Sequence, residues 1–506
     1  MTGEQKLEKV REWWNDYRFH LHFAIRTPDT LNSMLGDSLD TDTVDLLRHA
    51  RHAGIPFFVN PYYLSLLNES NDEEVLYADQ TIREYVIYSK ELIDEYGQIE
   101  AWEKEDKVKP GVPNAAGWLL PNETNIHRRY PEVAILIPDT MGRACGGLCV
   151  SCQRMYDFQR GNLNFNLEKL KPDECWEDKL ESLMEYFEND SQLRDILITG
   201  GDALMSSDRS LKVILEAVYK MALRKKEANL RRPDGSKYAE MQRVRLGTRL
   251  PVYLPQRITP ELAAILGDFR RRASEAGISQ FFIQTHFISP AEITPETEQA
   301  VRRLTDAGWI VTNQMVFTAA ASRRGHTAKL RKVLNDTGIL TYYTFTVKGY
   351  MENHRNFATN ARSLQELTEE KYLGKTELAE LKTDFTGLAN GAVKPDEWLL
   401  SKREKYSVPF IATDRNIVNL PGIGKSMTFR TIGITRRGRR ILEFGHDSER
   451  RHSPAVNQYG KVYIIESKPL HKYIDQLEKM GEDTQEYESL WGYTIGNTEP
   501  RSDIFE

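Results

Sequence analysis

Short apolar runs alternating with helix-patterned segments predict an α/β fold in which a parallel sheet is covered by helices. From about residue 127 the runs "VAILIP", "DILITG", "RVRLGT", "FFIQTHF", "WIVTNQMVF" and "LTYYTFTV" follow one another. Each of the first five is followed by a helical pattern: "DKLESLMEYF", "LKVILEAVYKMAL", "ELAAILGDFRRR", "TEQAVRRLTDAG" and "KLRKVLNDTG". At 506 residues the chain can bury a large core, as one big domain with accessory parts or as two domains. Six repeats fit a doubly wound sheet or an incomplete barrel. In both, chemistry gathers at the C-terminal strand ends.

Residues 1–126 read as mainly helical. They open with the charged amphipathic "MTGEQKLEKVREWW" and contain the turn-rich "VNPYYLSLLNESND". The strand and helix alternation occupies 127–350, a charged, helix-prone insertion 351–408, and 409–506 return to strands at "PFIAT", "MTFRTIGIT" and "KVYIIES" before the amphipathic "LHKYIDQLEKMGED". No repeat or low-complexity segment stands out. A charged fraction of 28% and a net charge of −6 give no reason to expect nucleic acid as a partner. The basic stretches "RKKEANLRRPDGSK" and "TRRGRR" read as solvated loop or turn faces. There is no apolar leader and no run of 18 apolar residues, so a cytoplasmic protein without a membrane partner is expected. Of four cysteines, Cys145, Cys149 and Cys152 lie in "ACGGLCVSCQRMYDF" and the fourth is Cys175. That clustering fits a reducing compartment and a cofactor rather than disulfides.

The triplet follows the first strand in a glycine-containing loop, at the mouth of the sheet. A closed structural zinc site wants four ligands, and His127 is the nearby candidate for a fourth. Three thiolates on a [4Fe–4S] cluster instead leave one iron open to a small molecule. The spacing CxxxCxxC resembles the radical S-adenosylmethionine (SAM) superfamily, in which that iron takes the amino and carboxylate groups of SAM. "ITGGDAL" ends the second strand, where Gly200 and Gly201 permit close backbone approach and Asp202 offers an acceptor for an ammonium. A tight strand-to-helix turn would account for the same residues. "NIVNLPGIGKSMTF" is not a phosphate-binding P-loop, because that motif needs a glycine where Asn419 stands. Behind Pro421, Gly422 and Gly424, Lys425 suits a Schiff-base lysine on a loop that lets a ring lie near the backbone, or else a surface turn.

Taken in order, "VNPYYLSLL", "HRRYP", "CGGLCVSCQR", "DILITGGDAL", "RLGTRLPVYLPQRITPEL", "THFISPAEIT", "DAGWIVTNQMVF" and "PGIGK" resemble the lysine 2,3-aminomutase family of pyridoxal-phosphate-dependent radical SAM enzymes. The resemblance runs, with interruptions, from about residue 10 to about residue 430. It implies a partial (β/α)6 TIM-type barrel with an N-terminal helical region and a C-terminal extension. The implied cofactors are a [4Fe–4S] cluster, SAM and pyridoxal 5′-phosphate (PLP), with PLP carried by Lys425 as an imine. Arg129, beside Arg128 in "HRRYP", matches an arginine near PLP. Arg154 matches the arginine that holds the substrate α-carboxylate, a role suited to its fork, and His286 and Gln314 match positions lining the SAM pocket. Family members often carry a C-terminal cysteine cluster for a structural zinc, whereas this chain has no cysteine after Cys175, so no zinc is expected. Segments near 222–243 and 360–408 are insertions relative to the simplest relatives. The implied partners are a small-molecule amino acid and an external reductant, and a homo-oligomer is compatible with the resemblance.

Lysine-specific members grip the substrate ammonium with two aspartates. Here Lys348 of "YYTFTVKG" and Asn419 of "NIVNLPG" stand at those positions. Two ammonium groups about 4 Å apart repel by about 4 kcal/mol at an effective dielectric of about 20. An acidic side chain would instead find an ion-pair partner and an amide donor. The pair resembles the glutamate 2,3-aminomutase branch and points to L-glutamate converted to β-glutamate. A related aminomutase acting on another amino acid or on a lysyl residue of a protein is the alternative, as is a binding protein that has lost the chemistry.

Overall fold

The structure, a computed structural model, describes residues 2–55, 57–67, 73–90, 93, 125–138, 140, 145–147, 149, 152, 175–346, 356–371, 380–381, 384, 387–389, 391, 393–420, 424–426, 429–445, 461–466 and 468–493. One nine-stranded sheet runs β1 (Ile126–Tyr130), β2 (Val133–Leu136), β3 (Asp195–Ile198), β4 (Arg243–Gly247), β5 (Gln280–Thr285), β6 (Ile310–Val316), β7 (Leu340–Thr346), β8 (Arg415–Leu420) and β9 (Gly424–Ser426). From β2 to β8 every neighbouring pair is parallel. β1 and β9 close the two ends antiparallel. The order in space is the order in the chain, with no reversal of winding. The doubly wound alternative is thereby excluded, and the sheet is a partial TIM-type barrel.

All six strands expected from the apolar runs are present. The helices between them are α7 (Trp176–Asn189), α8 (Asp208–Arg231), α10 (Pro260–Glu275), α11 (Pro295–Asp306) and α12 (His326–Asp336), with the short α9 (Leu250–Tyr253) after β4. Alternation along each strand divides the layers. Val244 and Leu246 of β4 and Phe281 and Ile283 of β5 join the same core as Leu215 and Val218 of α8 and Phe269 of α10. Arg243, Arg245 and Gly247 fall on the opposite face. Helix starts follow local chemistry: in both "ITPEL" and "ITPET" a threonine accepts a backbone N–H of the first turn, and proline fills the first helical position. Before the barrel lie α1 (Gly3–Trp13), α2 (Tyr17–His22), α3 (Pro28–Met34), α4 (Thr41–His52), α5 (Pro61–Leu64) and α6 (Glu73–Val86). Beyond it come α13 (Asn360–Gln365), α14 (Pro395–Tyr406), a separate antiparallel sheet of β10 (Arg430–Ile434), β11 (Arg440–Gly445) and β12 (Lys461–Ile465), and α15 (Leu470–Lys479).

Three expectations are corrected. "PFIAT" is not a strand: Ile411 and Ala412 are buried, and their N–H groups donate to the Asn335 side-chain oxygen at 2.7 and 2.9 Å, so a side chain replaces the ladder. The strand is instead "RNIVNL", which joins as a seventh parallel strand past residue 409. The two basic stretches are only partly solvated. Lys225 is fully buried and donates to the carbonyls of Phe187, Asp190 and Leu193 at 2.7–2.9 Å, capping the end of α7. Burial pushes its pKa down to about 8. Arg440 of "TRRGRR" is buried against Glu466 at 3.1 Å. Among the described residues no helix is long and apolar enough to cross a membrane.

Candidate functional site

The C-terminal strand ends gather the sequence-marked loops. After β2 come Cys145, Cys149 and Cys152, all partly buried against the core. Gly146 and Gly147 let this loop lie flat on α9. A Cβ would stand 2.8 Å from a Leu250 methyl at the first and 2.9 Å from the Tyr253 ring at the second. Cys152 N–H donates to the Cys149 carbonyl at 2.8 Å, which makes the second spacing a turn. Cys175 is exposed at the start of α7, apart from the triplet.

Beneath the loop lies a buried charge network that sequence reasoning did not single out. The Arg249 guanidinium donates to Cys149 Sγ at 3.3 Å, to the Tyr253 hydroxyl at 2.6 Å and to Glu292 Oε1 at 3.1 Å. Glu292 is fully buried, and it also accepts from Tyr63 O–H and from the N–H groups of Ile288 and Ser289. Burial pushes its carboxyl above the usual range, opposed by Arg249 and these donors. The "VNPYYLSLL" segment supplies part of the support: Asn60 donates to the Tyr253 carbonyl at 2.7 Å, and Tyr62 meets Thr294 at 2.7 Å. One signal for Arg249 was in the sequence, a charged residue at a strand end just before the apolar run of "GTRLPVYL".

The loop after β3 packs as its glycines require, since a Cβ on Gly200 would lie 2.6 Å from Ile137. Gly201 is half-buried beside it. Asp202 is buried, and its two oxygens accept from Leu204 N–H at 3.0 Å and Arg249 N–H at 2.6 Å, so the carboxylate ties this loop to the one after β4. Burial pushes its pKa up to about 6 against those donors and the Thr248 hydroxyl. Gln314 of β6 and His286, one residue past β5, are both half-buried at this end of the barrel. The parallel register ends at Thr285 beside Asn313, just before both positions.

At the far side of the sheet Asn419 and Lys425 are Cα partners across the β8–β9 pair. Arg415 and Ile417, nearer the start of β8, line a cavity. In β1 the register shifts between Arg128 and Tyr130, which makes Arg129 the extra residue of a bulge. Arg128 is taken up by Asp190, the Tyr186 hydroxyl at 3.0 Å and the Pro131 carbonyl at 2.5 Å. Arg154 and Lys348 lie outside the described residues. At the N-terminal strand ends the cavity, of about 520 Å³, is lined by Tyr130, Arg194, Arg243, Arg245, Tyr343 and Arg415 among others, with Glu132 and Asp195 as carboxylates.

Among the described residues no group of three or more His, Cys, Asp or Glu stands close enough to hold a metal ion. The donor set nevertheless suits a cluster: three part-buried thiols on a glycine-tightened loop, with a guanidinium against one of them. The arginine-lined cavity suits a phosphate-bearing group.

No protein-family model matches the chain. An uncharacterized KamA family protein of Methanocaldococcus jannaschii is 30% identical over 501 residues, 95% of this chain and 66% of that protein. A protein named L-lysine 2,3-aminomutase from Methanococcus maripaludis is 28% identical over 333 residues, 66% of this chain and 64% of its own length. A glutamate 2,3-aminomutase of Clostridioides difficile is 26% identical over 409 residues, 79% of this chain and 81% of that protein. The chain thus spans just under two thirds of the length of the first two. With seven parallel strands wound in chain order and the cysteine and Gly-Gly-Asp loops at their C-terminal ends, the chain belongs to the lysine 2,3-aminomutase family of radical SAM enzymes.

Proposed function

We propose that the protein is an isomerase that moves the amino group of L-glutamate from C2 to C3, giving β-glutamate. When bound, the cluster with SAM supplies a carbon-centred radical, and PLP carries the amino group. Cys145, Cys149 and Cys152 would hold the cluster, and the Gly200–Gly201–Asp202 loop with His286 and Gln314 would receive SAM. Lys425 would carry PLP, with Arg129 beside it. The bulge supports Arg129 over Arg128 for that role, because Arg128 is committed to Asp190 and Tyr186. Arg154 would take the α-carboxylate, and Lys348 with Asn419 the side-chain carboxylate.

The observation that carries the reading is the β8–β9 register. The position expected to choose the substrate, Asn419, is directly opposite the position expected to carry the amino group, Lys425. A two-residue pairing error would separate them by about 7 Å. The relative named glutamate 2,3-aminomutase, matched over most of both chains, supports the same substrate. The test is anaerobic incubation with SAM, PLP, a reductant and either L-glutamate or L-lysine, with the isomers separated chromatographically. Formation of β-glutamate is expected, together with borohydride-fixed label on Lys425. Turnover of lysine but not glutamate would sink the substrate assignment, and label on another lysine would sink the site.

A further inference from the structure

We infer that Arg249 is a positioning residue that holds the cysteine loop and sets how readily a cluster on that loop accepts an electron, an inference that rests on the cluster reading above. Arg249 bridges the two loops: its backbone N–H donates to Asp202 after β3, and its guanidinium donates to Cys149 after β2. The side chain has little room to move. It is 5% exposed, joined to Glu292 and the Tyr253 hydroxyl, and its guanidinium lies 4.2 Å from the Tyr85 ring centroid and 4.3 Å from that of Tyr253. Glu292 is likewise held by Tyr63 and two backbone N–H groups, so the pair does not swing out to meet a substrate.

A one-electron reduction by an external reductant adds negative charge next to the ligand sulfurs. A fixed cation donating an N–H to one of those sulfurs stabilises the reduced form more than the oxidised form. Hydrogen bonds to cluster sulfurs and local charge are among the levers that set such potentials. Burial strengthens the effect because little water screens it.

The experiment compares wild type, Arg249→Lys and the double variant Arg249→Gln with Glu292→Gln, which removes the buried pair together and leaves no lone charge. Each is reconstituted anaerobically with iron and sulfide, checked for fold by circular dichroism and for iron content, and titrated by visible absorbance against applied potential. The double variant should keep its fold and show a reduced-to-oxidised ratio about tenfold lower at a given potential, about 60 mV at 59 mV per decade. The lysine variant should fall between the two. A folded, fully loaded double variant with the wild-type midpoint overturns the inference. If the double variant folds but takes up little iron, the lysine variant decides: restored loading supports the role, and unrestored loading overturns it. Wild type that never takes up a cluster removes the parent reading, and this inference with it.

Discussion

At the C-terminal end of the barrel Arg249 is sealed against Glu292, Cys149 and two tyrosine rings. At the N-terminal end Arg194, Arg243, Arg245 and Arg415 line a cavity in which Asp195 and Glu132 are the carboxylates. The first region removes charge from water and holds it against fixed partners, the Arg249 Nε alone lacking one. The second leaves part of its charge near solvent: Arg243 is 39% exposed, although Asp195 joins it to Arg245. Buried, paired charge fixes geometry and punishes the loss of either partner, whereas partly exposed excess charge contributes less to stability and more to attracting anions.

The largest expected effect is at the sealed end. Arg249→Met leaves Glu292 buried without its cation and should cost about 3–5 kcal/mol in urea unfolding. Adding Glu292→Gln should recover a substantial part. A loss below about 1 kcal/mol would erase the contrast between the two ends.

The next effect is one of pH. Buried His326 meets the Ile288 carbonyl at 2.8 Å, and the Ile288 N–H serves Glu292, so this imidazole belongs to the same network. Burial pushes its pKa down to about 4 from an ordinary value of 6.5. The unfolded chain therefore binds the proton first. The contribution is fully present above about pH 6.5 and is lost as pH falls toward 4, by about 3 kcal/mol in all. His326→Gln should flatten that part of the stability profile, and an unchanged acid slope would show that the imidazole is not the group responsible.

A smaller effect is expected at the open end. Asp195→Asn removes the carboxylate shared by Arg243 and Arg245 and should cost about 1–2 kcal/mol, while inorganic pyrophosphate binds several-fold more tightly by calorimetry. Weaker pyrophosphate binding would mean that the cavity does not act as an anion site. The smallest effect is Tyr63→Phe, which removes one of several donors to Glu292 and should cost about 1 kcal/mol.

The barrel strands were legible because strands covered by helices read as apolar runs, and because threonine followed by proline marks helix starts. "RNIVNL" was not legible as a strand, since an arginine and two asparagines make up half of a short segment and weaken the β signal. Asn416 makes sense only in the fold. Asn416 donates to the Ser363 carbonyl at 2.6 Å and to Glu366 at 2.8 Å on the outer side, where Arg331 also meets Glu366 and Asp414. "PFIAT" was misread for the converse reason: its apolar residues are buried as a strand's would be, but Asn335, 76 residues away in sequence, takes its N–H groups. Lys225 and Arg440 were assigned to solvent because a cation's burial depends on carbonyls or carboxylates contributed by distant segments.

The chemistry expected of the cysteine triplet, the Gly-Gly-Asp loop and the Pro-Gly lysine loop rests on the sequence itself, because each expectation depends on residue type and spacing over a few positions. Alternation and helix period likewise determined the layers of the barrel. Chain-order winding, the seventh parallel strand, the bulge at Arg129 and the Arg249–Glu292 pair were decided only by the tertiary structure. Each arises from contacts between segments far apart in the chain: Glu292 meets Arg249 across 43 residues, and Arg249 meets Cys149 across 100. A local pattern states which groups are available, but whether a charge is buried, and against what, is known only when the strand ends that carry the groups are brought together.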